Sequence, residues 1–372
     1  MKILLISDQK VNSDHSAVEG LFYKAINKLE TSHCDIVYFS EQSSETLKLG
    51  KSKLQVPKKA KHASIINYLK CIIELDQYDF VVVRNYFATL KQFLNVKAKY
   101  NFKVGFWESF PHGYRRYEEA NRFGKSYIRK SIEWLLKSKY QKHLISQSDF
   151  YLPISHQLQN DFYPNLMVAS YPLSMGVDID IMPEEGNKDT SKSSLKAFVY
   201  TGTIDRLRNF DVILDAFLTT KKDYQFFIYT TSDNDYVTKL KLKSQLDSRI
   251  QWSLPLKRDD LFKVLNGSDI AVGIFPETKT YRSASPTKTI EYYAIGLPTL
   301  LNHIPEYDRL FDEHCAYFCS FNQESIRSSI EKIIDTSKAE LVTMGRRGRE
   351  IIIKERTYDY MAKSFVAFLR SL

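Results

Sequence analysis

Phe198-Val199-Tyr200-Thr201-Gly202-Thr203-Ile204-Asp205-Arg206-Leu207-Arg208-Asn209-Phe210 decides how this chain is read. Aromatic and β-branched residues run up to a glycine, as in a buried strand that ends in a tight turn. A short basic loop follows, and a helical pattern opens over 211–218. Strand, glycine turn, loop and helix in that order begin a parallel βαβ unit. In a doubly wound fold the loop after the leading strand faces the ligand crevice. Arg206 and Arg208 are therefore expected to face that crevice, where guanidinium groups bind phosphate through paired hydrogen bonds.

The same alternation extends in both directions. Strands are expected over 195–201, 225–229, 249–252, 270–274, 299–301 and 316–318 in the second half, and over 2–7, 35–39, 80–84, 103–108 and 150–154 in the first. Helical periodicity fills segments between them, as over 17–29 and 65–75. A chain of 372 residues is long for one core, so two α/β domains are expected. The polar, aperiodic stretch 183–194 is the most linker-like part of the chain. It sets the boundaries at 1–178 for the first domain, 179–195 for the linker and 196–357 for the second. Residues 51–62, with Lys51, Lys53, Lys58, Lys59 and Lys61 and no acid, read as an exposed basic loop.

Composition narrows the class. An apolar fraction of 43% with 26% charged residues is globular, and no window is apolar enough to span a bilayer. The opening run Ile3-Leu4-Leu5-Ile6 stops at Ser7 and Asp8, so it reads as a buried strand and not a signal sequence. Cys34, Cys71, Cys315 and Cys319 form no metal or disulfide framework; Cys315 and Cys319, four apart, could offer a metal pair on a helix but have no second Cys/His pair beside them, so buried free thiols in a reducing, cytoplasmic setting are expected. A net charge of +9 favours anionic partners. Zinc-finger, RRM and helix-turn-helix signatures are missing, so nucleic acid is not the expected one.

A second segment points to the same anion. Ser285-Pro286-Thr287-Lys288-Thr289-Ile290-Glu291-Tyr292-Tyr293-Ala294-Ile295-Gly296-Leu297-Pro298-Thr299 reads as a loop, a short helix opened by Pro286 and closed by Gly296, and a strand. The helix start offers free N–H groups and the positive dipole end to a diphosphate. Lys288 adds charge in the first turn, and Glu291 stands one turn on, placed to accept from a ribose diol.

Together the two segments resemble the retaining glycosyltransferases of the GT-B fold, family 4 (glycosyltransferase group 1), over residues 145–372. Gly202 and Arg208 match the family's glycine and the basic residue six positions on; Glu291, Ala294, Gly296 and Pro298 match the second half of its paired-glutamate signature, in the Ser-Pro-x-Lys-x-x-Glu-Tyr form. Tyr151-Leu152-Pro153-Ile154-Ser155 and Ser174-Met175-Gly176-Val177-Asp178 resemble its domain-closing strand and crossing. The resemblance implies two Rossmann-like domains facing a central cleft, with the C-terminal helix 358–372 crossing back to the first domain. It implies a nucleotide-diphosphate sugar, UDP- or GDP-linked, as co-substrate, no cofactor and no metal. Gly202, Thr203, Arg206, Ser285, Pro286, Thr287 and Glu291 would bind the donor, and Arg208 and Lys288 would act in catalysis. The acceptor would be a glycan or a lipid-linked glycan for cell-surface polysaccharide.

The chain departs from the family at two positions. Thr203 stands where a basic residue is usual, and Ser283 where the first glutamate stands, with Glu277 a substitute carboxylate nearby. Both favour the alternative of a nucleotide-sugar-binding subunit without turnover; a nucleotide-sugar epimerase on the same fold is a second alternative.

The first domain offers fewer residues. Glu108 and His112 lie in the loop after strand 103–108 and are the candidates to contact the transferred sugar or the acceptor hydroxyl. Asp233-Asn234-Asp235 looks like an Asp-x-Asp metal motif but has turn composition. Residues 112–144 interleave basic and aromatic side chains, which fits either a solvated helix or one lying on an anionic membrane surface, at the inner face of the membrane.

Overall fold

A computed structural model describes residues 1–9, 17–40, 45–62, 64–124, 127–182 and 195–372, apart from the side chains of Tyr127, Arg258 and Asp259. Most of the linker, 183–194, and residues 10–16 of the loop after the first strand, whose stretch 8–15 is expected to face the cleft, lie outside the described residues. The chain divides into two compact units: 1–178 with 283–285 and 358–372, and 179–282 with 286–357.

The first unit is built on an eight-stranded sheet: β1 (Lys2–Ile6), β2 (His33–Ser40), β3 (Leu47–Lys48), β4 (Lys53–Pro57), β5 (Phe80–Arg84), β6 (Lys103–Glu108), β7 (Phe150–Pro153) and β8 (Ala169–Ser170). Their order is β3-β4-β2-β1-β5-β6-β7-β8, all parallel except β3. Alternation along the strands sends residues to two faces. Leu4, Ile6, Val81 and Val83 enter one apolar cluster, while Ile3, Leu5, Phe80 and Val82 enter another. The second cluster takes in the terminal helix Tyr358–Ser371 through Tyr358, Met361, Phe365 and Leu369.

The second unit has six parallel strands: β9 (Lys196–Thr201), β10 (Tyr224–Tyr229), β11 (Ile250–Ser253), β12 (Ile270–Val272), β13 (Thr299–Asn302) and β14 (Ala316–Cys319). Their order, β11-β10-β9-β12-β13-β14, is the 3-2-1-4-5-6 winding of a dinucleotide-binding sheet. The switch point lies between β9 and β12, so the loops after these strands border the binding crevice. In the first unit the equivalent switch point lies between β1 and β5.

Two expectations about elements are corrected. The basic loop 51–62 contains β4, where Leu54 and Val56 are buried against the core. Its Lys53 pairs with Glu19 at 2.6 Å and lies over the Tyr23 ring, so a lysine-rich composition conceals an alternating strand. The helix over 17–29 is a π-helix at Ala17–Ala25 followed by a 3-10 turn. The cysteines follow the expectation of buried free thiols at Cys34, Cys315 and Cys319, with Cys319 on a strand, while Cys71 is exposed.

Candidate functional site

In the second unit, β9 ends at Thr201 and the chain turns at Gly202 with φ +129, a backbone conformation closed to most side chains. A Cβ there would stand 3.8 Å from Lys288 Cδ. Asp205 caps the 3-10 turn Arg206–Arg208 by accepting from the Arg208 N–H at 3.0 Å. This turn fixes the Arg208 backbone, and its guanidinium lies 5.4 Å from the centre of the Phe275 ring and 5.6 Å from that of Tyr281.

The helix Thr287–Ala294 begins after Pro286 with no side-chain cap. It is tied to the end of β9, since Tyr292 Oη accepts from the Thr201 N–H at 3.0 Å. It is tied to β12 as well: Thr289 shares a 2.7 Å hydrogen bond with Tyr307, whose hydroxyl donates to the Gly273 carbonyl. Lys288 projects from its first turn. The Nζ lies 3.7 Å from the centre of the Tyr200 ring and 4.8 Å from that of Phe275. It is closed off from solvent and has no hydrogen-bond partner among the described residues. Burial, and then the Arg208 guanidinium, press its pKa well below the ordinary amine range.

Arg208 pairs with Asp205 at 3.8 Å and hydrogen-bonds with the Tyr200 hydroxyl, while its Nε has no hydrogen-bond partner among the described residues. Two cations thus sit near one another among aromatic rings at the switch point, and Lys288 is the one whose charged atom is buried without a partner among the described residues. A buried ammonium without a partner is unfavourable by about 1–3 kcal/mol or more. An anion with several oxygens would relieve both groups at once, and the uncapped helix start supplies N–H groups beside it.

The other sequence candidates distribute as follows. Gly202, Thr203, Arg206, Arg208, Pro286, Thr287, Lys288 and Glu291 fall in the second unit. Arg206 and Thr203 are exposed, and Glu291 is half-buried on the site helix. Ser285 groups with the first unit together with Ser283; its Oγ accepts from the Met175 N–H at 3.1 Å, and Ser155 Oγ donates to the Ser283 carbonyl. A segment that reads as one piece with Pro286 thus belongs by its packing to the other unit. Glu277 is exposed. Asn234 of the Asp-x-Asp triplet caps the following helix, accepting from the N–H groups of Tyr236 and Val237. Among the described residues no group of three or more His, Cys, Asp or Glu is disposed to hold a metal ion.

The first unit carries a cavity of about 440 Å³ lined by residues that include Lys61, Asn85, Tyr86, Glu108, His112, Arg116 and Trp134. Glu108 differs from the expectation of an open reacting group. It is 6% exposed, and both its oxygens are taken, by Tyr151 Oη at 2.8 Å and Tyr163 Oη at 3.3 Å. Burial raises its pKa to about 7 against the opposing pull of these two hydroxyls. His112 opens the helix His112–Phe123 with its ring against Phe110. Desolvation of the ring holds its pKa below the ordinary value, Asp8 opposes this, and Arg84, Arg116 and Arg115 add to it.

Sequence reasoning missed two groups. The walls Tyr200, Phe275 and Tyr281 come from three separate segments, and only their hydrophobicity was visible. At the first unit's switch point the buried Arg84 pairs with Asp8, and Asn85 Nδ2 donates to Asp8 at 2.7 Å and to Ser109 at 2.8 Å. Asn85 has φ +59, and its place directly after a strand was the available signal.

Comparison with known proteins bears on the fold. Residues 211–367 match the family model described as glycosyl transferase-like. No curated protein matches the chain in sequence. Among solved structures, sucrose-phosphate synthase from Thermosynechococcus elongatus superposes with a TM-score of 0.77 at 13% identity, covering 100% of this chain and 98% of that one. Anabaena HepE, solved with UDP and glucose, gives 0.72 at 12% identity with full coverage of both chains. The lipopolysaccharide outer core galactosyltransferase WaaB in its apo form gives 0.66 at 12%, covering 100% and 99%. The fold is GT-B.

Proposed function

We propose that this GT-B chain transfers a sugar from a UDP- or GDP-linked donor to a glycan or lipid-linked acceptor, with retention of anomeric configuration and without a metal ion. The observation that carries the proposal is Lys288: a desolvated ammonium beside a second cation, at the start of an uncapped helix. In this reading the bond from the sugar's anomeric carbon to the β-phosphate oxygen breaks. Arg208, Lys288 and the N–H groups of the helix starting at Thr287 take up the charge that grows on that oxygen. The acceptor oxygen bonds to the anomeric carbon on the face the phosphate leaves, and its proton passes to the departing phosphate. No protein base is needed, and positioning supplies much of the rate. Gly202, Thr203, Arg206, Pro286, Thr287 and Glu291 line the donor, with Ser285 bordering it, and Glu291 accepts from the ribose. His112 contacts the transferred sugar or acceptor, and Glu108 acts from the floor of the same cavity by holding its form. The setting is cytoplasmic, at the inner face of the membrane that carries the acceptor, and the product is surface polysaccharide of the family 4 kind.

The test is turnover by purified protein in a chelator, with UDP- and GDP-sugars and a panel of glycan acceptors, followed by nucleotide release and by the anomeric coupling of the product. The reading expects release, a product of the donor's own configuration, and a loss of about a hundredfold or more in Arg208→Ala. Nucleotide binding without any release would favour the non-catalytic subunit instead, and an epimerised sugar formed without acceptor would favour the epimerase.

A further inference from the structure

The helix Tyr127–Ser146 turns two unlike faces outward and inward. Lys130, Glu133, Trp134, Lys137 and Gln141 line the cavity that also holds His112. Ile128, Ile132, Leu135 and Leu136 are 73%, 55%, 54% and 64% exposed. Their spacing of i, i+4, i+7, i+8 makes one stripe. Ile128 and Lys130, or Ile132 and Trp134, are two positions apart, which at 3.6 residues per turn is about 200° round the helix. The apolar stripe therefore lies opposite the cavity wall. Phe123, 48% exposed, precedes it in the chain, and Tyr140, 44% exposed, follows along the helix.

An exposed isoleucine alone needs no explanation, whereas a stripe of four bulky aliphatics on one helix does. Charge indicates what covers it. The helix holds Arg129, Lys130, Lys137, Lys139 and Lys142 against the single acid Glu133. Glu133 is on the cavity side, where Lys130 and Lys137 pair with it. The outward side is left with aliphatic residues and unopposed positive charge, with Arg129, Lys139 and Lys142 exposed. A second copy of the chain docked by twofold symmetry would press these same cations against one another. An anionic bilayer surface complements both features, since its acyl boundary accepts the aliphatic stripe and its headgroups the lysines. No helix among the described residues is long and apolar enough to cross a membrane.

We propose that helix Tyr127–Ser146 docks the protein on an anionic lipid bilayer through Ile128, Ile132, Leu135 and Leu136, with the cavity of His112 on the helix's opposite side. The docking itself stands on exposure and charge; that the cavity then receives an acceptor drawn from the same bilayer rests on the proposed function.

The experiment is co-flotation of the full chain with phosphatidylcholine vesicles, with and without phosphatidylglycerol, for the wild type and for the triple variant Ile132→Ser, Leu135→Ser, Leu136→Ser. Binding is expected only with phosphatidylglycerol, weakening as salt rises, and falling about tenfold or more in the variant. The variant should keep the wild-type melting temperature and the same stabilisation by nucleotide diphosphates, so failure of docking is read apart from failure of the donor site. Equal binding to both vesicle types, binding unchanged in the variant, or a wild-type dimer that the variant dissolves into monomers would each overturn the proposal.

Discussion

Glu108 is a carboxyl that holds its proton near neutrality because burial outweighs two tyrosine hydroxyls. An unfolded glutamate ionises near its model value of 4.5, whereas this one titrates at about 7. Between these values the folded chain binds the extra proton, so stability falls as pH rises through that window and stays lower above it. Replacement by glutamine keeps a neutral partner for the tyrosines and removes the titration. Glu108→Gln is expected to flatten the pH dependence of unfolding, and to exceed the wild type by on the order of 1–3 kcal/mol at pH 8. Urea unfolding from pH 4 to 8 measures this; parallel profiles for the two proteins would contradict it. At this scale the sequence showed charges better than surroundings. Arg208 and Lys288 were readable because a loop after a leading strand and a helix start both have a known side. The role of Glu108 was not, since its partners Tyr151 and Tyr163 lie 43 and 55 residues away.

Among the elements, the candidate-site helix depends on a second helix packed against its closing turn. Helix Lys338–Glu355 packs Gly345 against the turn that closes Thr287–Ala294, and a Cβ at 345 would lie 2.0 Å from the Gly296 carbonyl oxygen. Gly296 itself has φ +71, so that turn cannot easily move. Gly345→Ala is expected to destabilise the second unit by about 1–3 kcal/mol, the usual cost of overpacking. At Gly267 a Cβ would meet nothing nearer than 3.5 Å and φ is −79, so Gly267→Ala should stay within about 0.5 kcal/mol of the wild type. Chemical denaturation of the two variants makes the comparison; equal effects would show that the close approach does not constrain the site helix. Strands of the parallel sheets were legible because buried runs such as Phe80–Arg84 and Lys103–Glu108 are apolar and bounded by turns. β4 was not, because its Lys53 finds an acid and an aromatic ring from the helix Ala17–Ala25. Such a tertiary solution leaves no local trace.

For the whole molecule, two sheets wound in the same sense each place a switch point at the carboxyl ends of their strands. The second unit gathers cations there, and the first gathers Asp8, Arg84 and Asn85 beside a cavity with His112. The alternation of elements made this architecture legible, while the grouping of 283–285 with the first unit depends on contacts with Ser155 and Met175 that no periodicity encodes. The central claim is that Arg208 and the buried ammonium of Lys288 exist to receive a nucleotide diphosphate. It is tested most directly by thermal unfolding of the wild type and Lys288→Met across UDP, GDP, ADP and their monophosphates. A ligand that binds only the folded state, at about a hundred times its Kd, adds about 2.7 kcal/mol. In a unit of this size that is a rise of about 5–10 °C. The account predicts such a rise for at least one diphosphate with the wild type. It predicts for Lys288→Met a higher melting temperature without ligand, since an unpartnered ammonium is gone, and no rise with it. A wild type indifferent to every diphosphate, or a variant that responds as the wild type does, would contradict it.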